Sequence, residues 1–296
     1  MLLLLIIFYE VDNFCKQFES EWEKILISDG KRKRNRKSRM TLSEIMTIAI
    51  FFHHSNYKHF KHYYINHVMK HLSTEFPRLV SYNRFVELMQ KITIPLAAFM
   101  QFKRTGTCTE ITFIDSTPLA VSHPRRIHSH KTFKESAKRG KTSVGWFFGF
   151  KLHLAVNDYG EILSFLITPG NTADNNEKVL MRVTNNMSGK IFGDKGYIIK
   201  PEVSQKFHSK GIRFITKPKK NMKKKKIPLD DMLLLNKRSL IETIIGLLKE
   251  SFSLEHSRHR SAGGFFSHVF STLIAYTFME KKPSIKEKIT DFSYVF

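Results

Sequence analysis

The sequence predicts an α/β protein, with a mixed sheet in the middle of the chain and a helical region in front of it. Three observations carry this. In the first hundred residues apolar side chains recur at helical spacing. Between 111 and 168 the pattern changes to β-branched and aromatic runs with a period of two. Beyond 175 helical and strand-like segments alternate, and two further helices close the chain.

In the first region Phe14, Phe18, Trp22, Ile25 and Leu26 make one helical stripe. The apolar run Met1–Phe8 reads as the buried start of that helix. It lacks a basic leader and a cleavage site, and a bilayer span needs roughly 20 residues. Thr41-Leu-Ser-Glu44 is a capping box that opens a helix over 45–52, and Ser81 opens another over 82–92. Aromatic and His residues between 51 and 71 read as helix packing. Lys31–Arg39 holds seven cations in nine residues, a loop that is either simply solvated or in contact with phosphates.

The strands follow. Ile111–Asp115 is a short run ending on a carboxylate. In Trp146–Val156, Phe150, Leu152, Leu154 and Val156 alternate with Lys151 and His153, the pattern of a half-buried strand. Asn157–Gly160 turns the chain, and Ile162–Thr168 returns as its partner. A helix is expected over 175–187, a strand over 190–193 ending at Asp194, a helix over 200–209 and a strand over 211–216. Lys217–Lys226, with seven lysines in ten residues, is an exposed loop, and helices near 231–250 and 265–280 complete the chain. This order matches the ribonuclease-H-like arrangement. The expected division is a helical region over 1–104, a mixed-sheet domain over 105–282 and a tail over 283–296.

Composition narrows the function. Among 296 residues, 49 Lys and Arg face 26 Asp and Glu, a formal charge of +23 that favours a polyanionic partner, either nucleic acid or an anionic membrane surface. An AT-rich genome would explain many lysines, but explains the shortage of acids less easily. With 42% apolar and 25% charged residues, a disordered or collagenous chain is excluded. Two cysteines, Cys15 and Cys108, make neither a disulfide scaffold nor a zinc ribbon, so a reducing compartment is expected. No segment is long enough to span a bilayer, which predicts a soluble, cytoplasmic protein.

The few acids then matter. Asp115 and Asp194 each end an apolar strand, and in open α/β sheets functional groups gather at strand ends near a topological switch. If the two strands are neighbours, their carboxylates meet and make a site for a hard cation such as Mg²⁺. Each Asp also suits the cap of the turn that follows it. A third group shifts the balance: Arg238, Glu242 and Lys249 share one face of an amphipathic helix. The series strand-Asp, strand-Asp, helix-Glu, with 78 and 47 intervening residues, is a specific pattern.

At these residues the sequence resembles the DDE transposases of bacterial insertion sequences, most closely the insertion sequence 982 family. The carriers are Phe113-Ile-Asp-Ser-Thr-Pro118, His128-Ser-His-Lys-Thr-Phe133, Ala137-Lys-Arg-Gly-Lys141, Gly145–His153, Gly193-Asp-Lys-Gly-Tyr197 and Glu255-His-Ser-Arg-His-Arg-Ser261. A related signature (tyrosine, two residues, arginine, three, glutamate, six, lysine) fits Arg238, Glu242 and Lys249, with Leu235 at the tyrosine position. The resemblance implies a ribonuclease-H-like catalytic domain preceded by a helical N-terminal DNA-binding region. It implies that Asp115, Asp194 and Glu242 are catalytic and hold metal, two Mg²⁺ or Mn²⁺ ions. The partners it implies are the terminal inverted repeats of the element and target DNA, engaged by a homodimer or larger assembly in the bacterial nucleoid. Expected DNA contacts are Arg125, Arg126, Lys131, Lys138, Arg139, Lys141, Arg238, Lys249, Arg258 and Arg260. Two rivals remain: a nuclease or resolvase of the same fold that cuts without joining, and a basic DNA-binding protein without activity.

Overall fold

The computed structural model describes residues 1–28, 38–218, 226–255 and 259–285. The chain divides into two compact units. Most of the cationic runs at 31–39 and 217–226, together with Arg258 and the tail beyond residue 285, lie outside the described residues. No described helix is long and apolar enough to cross a membrane.

The first unit comprises Met1–Arg104, Glu250–Leu254 and His259–Met279. Its described part is helical: α1 (Leu2–Ser28), α2 (Leu42–Phe51), α3 (Phe60–Tyr63), α4 (Met69–His71), α5 (Tyr82–Met89) and α6 (Thr93–Phe99), with π-helical turns at Tyr64–Val68 and Met100–Arg104. Thr41 caps α2 through the expected box, its hydroxyl accepting from the Glu44 amide while the Glu44 carboxylate accepts from the Thr41 amide at 2.7 Å. The N-terminal run is not wholly buried. Leu4, Ile7 and Val11 face the core, whereas Met1, Leu2, Leu5, Ile6 and Tyr9 are exposed, because a helix turns an unbroken apolar run to every side. Sequence order suggested that the closing helix belongs with the sheet. Its contacts put it in the first unit, where it packs on α2, α5 and α6. There Thr93 donates or accepts at Ser267 (2.8 Å), and Arg104 pairs with Glu10 while lying 3.9 Å over the Phe278 ring. His53 is buried, bonded to the Phe252 carbonyl at 2.7 Å and packed on the His268 ring.

The second unit is built on Thr105–Lys249. Its strands are β1 (Ile111–Ser122), β2 (Lys138–Lys141), β3 (Trp146–Asn157), β4 (Ile162–Pro169), β5 (Gly189–Gly193) and β6 (Ile212–Thr216). Its helices are α7 (Glu177–Val183), α8 (Pro201–His208), α9 (Leu229–Asn236) and α10 (Ser239–Glu250); the closing helix, α11, is Ala262–Thr277. The sheet runs β2-β3-β1-β5-β6, and β4 shares with β2 the outer edge of β3. β1 and β3 are antiparallel, while β5 and β6 follow β1 in parallel, so the sheet is mixed and ribonuclease-H-like in order. The helix expected over 231–250 is two helices, broken at Lys237–Arg238.

Two strand expectations need correction. β1 continues seven residues past Asp115, so that carboxylate sits inside a strand rather than at its end. β3 is covered on both faces: His153 is fully buried and the Lys151 side chain is 11% exposed. Alternation identified the two faces, but two-sided burial depends on α7 packing against β3 and β4. Ile114, Ala155, Leu163, Leu180, Val183, Ile191 and Phe207 form that core.

Backbone approach constrains the central pair. A Cβ on Gly149 would lie 2.0 Å from the Leu119 carbonyl oxygen, whereas one on Gly246, in α10, would meet nothing within 4 Å. We therefore expect Gly149→Ala to lower unfolding stability by more than about 2 kcal/mol. Gly246→Ala should raise it by about 0.5–1 kcal/mol through helix propensity. Urea denaturation of the two variants checks the opposite signs.

Candidate active site

The site forms where β1 loses one of its neighbours. β1 and β5 pair through Ile111↔Lys190, Thr112↔Ile191 and Phe113↔Phe192, with the last two rings stacked at 5.6 Å. Beyond that point β5 ends, and β1 continues on β3 alone. Asp115 and Asp194 are each the second residue past the last pair, which sets them side by side at the split. Gly193 is needed here, since a Cβ would lie 2.9 Å from that of Tyr197 as the chain folds back. Asp194 caps the short turn Lys195–Tyr197, its Oδ1 accepting from the Gly196 amide at 2.7 Å. The capping reading of Asp194 and its place beside Asp115 thus both hold.

The third carboxylate arrives through Arg238, at the break between α9 and α10. Its guanidinium donates to Asp115 Oδ2 at 3.0 Å and, through its other terminal nitrogen, to Glu242 one turn further on. Asp194, Glu242 and Arg238, with Lys195, Lys217 and Leu235, line a cavity of about 360 Å³. Leu235, at the position of the signature tyrosine, is buried in its wall.

Burial dominates the electrostatics of Asp115, pushing its carboxyl up to about 6. The Ser116 amide and Arg238 pull it down, and the neighbouring Asp194 pushes it up. Tyr197, buried beneath the turn, is driven well above the ordinary phenol range by desolvation and by Asp115, Asp174 and Asp194.

Asp174 is a carboxylate that the sequence reading missed. On the opposite face of β1 the Ser116 hydroxyl donates to Asp174 Oδ1 at 2.7 Å, and Lys151 donates to the same oxygen at 3.0 Å. The Ser116 amide meanwhile donates to Asp115 Oδ1 at 2.8 Å. One residue thereby links the loop after β4 to the carboxylate on the far side of the strand. Asp174 ends no strand, so the pattern that singled out Asp194 passes over it. Lys151 gave the available signal, as a cation within a strand whose flanking residues are apolar.

Of the expected DNA contacts, Arg125 and Arg126 lie in an exposed turn at Pro124–Arg126, Lys131 is exposed, and Lys138, Arg139 and Lys141 lie on β2. Lys249 is paired with Glu255 at 2.6 Å, and Arg238 is held between carboxylates. Arg260 is exposed and belongs to the first unit. The donor set of Asp115, Asp194 and Glu242 consists of hard carboxylate oxygens, the type that Mg²⁺ or Mn²⁺ takes. Among the described residues no three His, Cys, Asp or Glu are yet gathered tightly enough to hold an ion. Arg238 supplies positive charge between Asp115 and Glu242.

Residues 105–262, more than half of the chain, match the family model described as a transposase DDE domain. Comparison with curated proteins finds no match.

The raised carboxyl of Asp115 sets a pH dependence. Its folded value lies above that of the unfolded chain, so its contribution to stability is present below about pH 4 and is lost as pH rises through about 6. In EDTA, Asp115→Asn should therefore melt at a higher temperature than the parent at pH 7.5, by up to about 3 kcal/mol in stability. The difference should close at pH 4. Thermal denaturation at the two pH values checks it.

Proposed function

The chain belongs to the transposase DDE-domain family, and from that premise we propose that it cuts DNA at the ends of its own insertion sequence and joins the freed ends to target DNA. The observation that supports this reading best is that Arg238 joins Asp115 to Glu242, while Arg238, Glu242 and Asp194 line one cavity beside the end of β5. On this reading Asp115, Asp194 and Glu242 hold two Mg²⁺ or Mn²⁺ ions. Such ions, when bound, activate the attacking oxygen and offset charge on the leaving one.

The chain's other residues support hydrolysis by water over a covalent route. Ser116 has its hydroxyl committed to Asp174, and Tyr197 is 1% exposed, so neither hydroxyl is presented to a substrate as a nucleophile. Water attacks phosphorus, the bond to the 3′ oxygen breaks, and a 3′-hydroxyl is freed. In the second step that hydroxyl gives up its proton and attacks a target phosphodiester, forming a new P–O bond as the target's own P–O3′ bond breaks and its 3′ oxygen leaves as a hydroxyl. Lys195 and Lys217 line the cavity with positive charge suited to phosphate oxygens.

The finer identity belongs to the same reading: a member of the insertion sequence 982 family, acting as a homodimer or larger assembly on terminal inverted repeats in the bacterial nucleoid. The helical first region supplies recognition of the element ends, because base reading needs side chains set in a groove while phosphate contacts only position the duplex.

Asp115→Asn, Asp194→Asn and Glu242→Gln should each lower Mg²⁺-dependent cleavage of a terminal-repeat duplex by more than about 100-fold. Duplex affinity should stay within about threefold, because protein–DNA affinity is carried largely by phosphate contacts made elsewhere. Cleavage gels and fluorescence anisotropy measure the two. A pre-cleaved duplex with a free 3′-hydroxyl tests joining; cutting without joining would reduce the reading to a nuclease.

A further inference from the structure

The β2–β3 hairpin carries a surface that the carboxylate chemistry leaves unused. Lys138, Arg139 and Lys141 are exposed on β2, a strand with no acid. Register pairs Lys141 with Trp146 and Arg139 with Phe148, which puts these four side chains on one face of the ribbon. Phe148 is buried against the His130 ring, but Trp146 is 54% exposed. The Arg139 guanidinium and the Lys141 ammonium reach its ring at 4.9 and 5.5 Å.

The ribbon is firmly set. A Cβ on Gly140 would lie 2.2 Å from the Gly170 carbonyl oxygen and 2.6 Å from the Phe147 ring, so β2 is seated directly on neighbouring backbone. At the tip Thr142 and Gly145 close the turn, with the Thr142 amide donating to the Gly145 carbonyl at 2.8 Å. The tip presents Val144, 97% exposed.

We infer that Trp146 is a stacking platform for an unpaired DNA base, with Arg139 and Lys141 on the phosphates that flank it. This rests on the reading that the chain acts on DNA. A half-exposed indole flanked by two cations does not suit an apolar protein partner, which would have to desolvate both charges. It suits a nucleotide, which offers a π-face to the ring and an anion to each neighbour. Alternation along β3 places Trp146 on the face of Leu154, the residue opposite Asp115 and eight positions away. At about 3.3 Å per residue that is about 26 Å. The face of β3 between them is buried (Phe148, Phe150, Leu152 and Leu154), so DNA passes over its cover and needs at least about eight nucleotides from the cut to reach Trp146, at about 3.4 Å per nucleotide.

The test uses the full chain in EDTA, so that no cleavage is needed. Duplexes carry one unpaired 2-aminopurine, placed in turn four to twelve nucleotides from the element end, and a fully paired duplex serves as reference. With the parent, quenching of the 2-aminopurine should appear at position eight or beyond and not at four to six, and the unpaired site there should be preferred over paired duplex. Trp146→Ala should lose that preference by about five- to a hundredfold while affinity for paired duplex holds. Trp146→Phe should keep most of it, and matching melting temperatures would show both variants folded. Arg139→Gln with Lys141→Gln should weaken both duplexes and flatten the salt dependence. Tight duplex binding with no preference for the unpaired base, or a preference that survives Trp146→Ala, overturns the platform and leaves the DNA reading standing. Failure to bind any duplex overturns both, and Trp146-dependent binding to phosphatidylserine vesicles without an effect on DNA assigns the ribbon to a membrane surface instead.

Discussion

The second unit depends on β1 being paired on both edges only as far as Phe113. Up to that residue β1 is a central strand with β3 on one side and β5 on the other. Past it the β5 edge is open, and the chain leaving β5 turns away over Tyr197. An acidic side chain at this position is accessible from the opened edge yet held by a strand that remains paired on β3. Asp115 combines both conditions, with a side chain 20% exposed on a rigid backbone.

Charge is the second constraint. A carboxylate that is mostly buried must be paired or hydrogen-bonded, or it takes up a proton. The chain answers with cations from different elements: Arg238 from the α9–α10 break serves Asp115 and Glu242, and Lys151 from β3 serves Asp174. Asp231 is handled likewise, 1% exposed and paired with Lys190 and Arg213. Among the described residues some of the positive charge is therefore matched to the few acids, and other cations, such as those of β2, lie on exposed positions. Of these, only the cations not matched to an acid are free to act on a polyanion.

Ser116 shows how position within a strand is converted into function. Its amide and hydroxyl bind carboxylates on opposite faces of the sheet, Asp115 on one and Asp174 on the other. Alternation makes this possible, since neighbouring residues of a strand point to opposite sides. The loop after β4 thereby braces the residue next to Asp115 although it approaches from the face that carries the α7 core.

Sequence by itself determined the element order apart from β2 and the break between α9 and α10, the helical character of the first hundred residues, the capping box at Thr41 and the hairpin after Asn157. These are local features, decided by periodicity and by hydrogen bonds between near neighbours. It also singled out Asp115, Asp194 and Glu242, because acids are scarce here and each lies next to an apolar segment. Tertiary structure decided what local pattern cannot encode. The closing helix joined the first unit because its buried face, with Val269, Leu273 and Ile274, matches other helices better than its place in the chain suggests. His153 and Lys151 became interior because cover on the second face of β3 comes from a helix more than twenty residues away. Asp174 entered the site, and Arg238 came to lie between two carboxylates rather than facing solvent, through contacts 58 and 123 residues apart in the chain. Such contacts leave no periodic trace in sequence, since what selects them is the desolvation cost of a charge after the chain has closed around it.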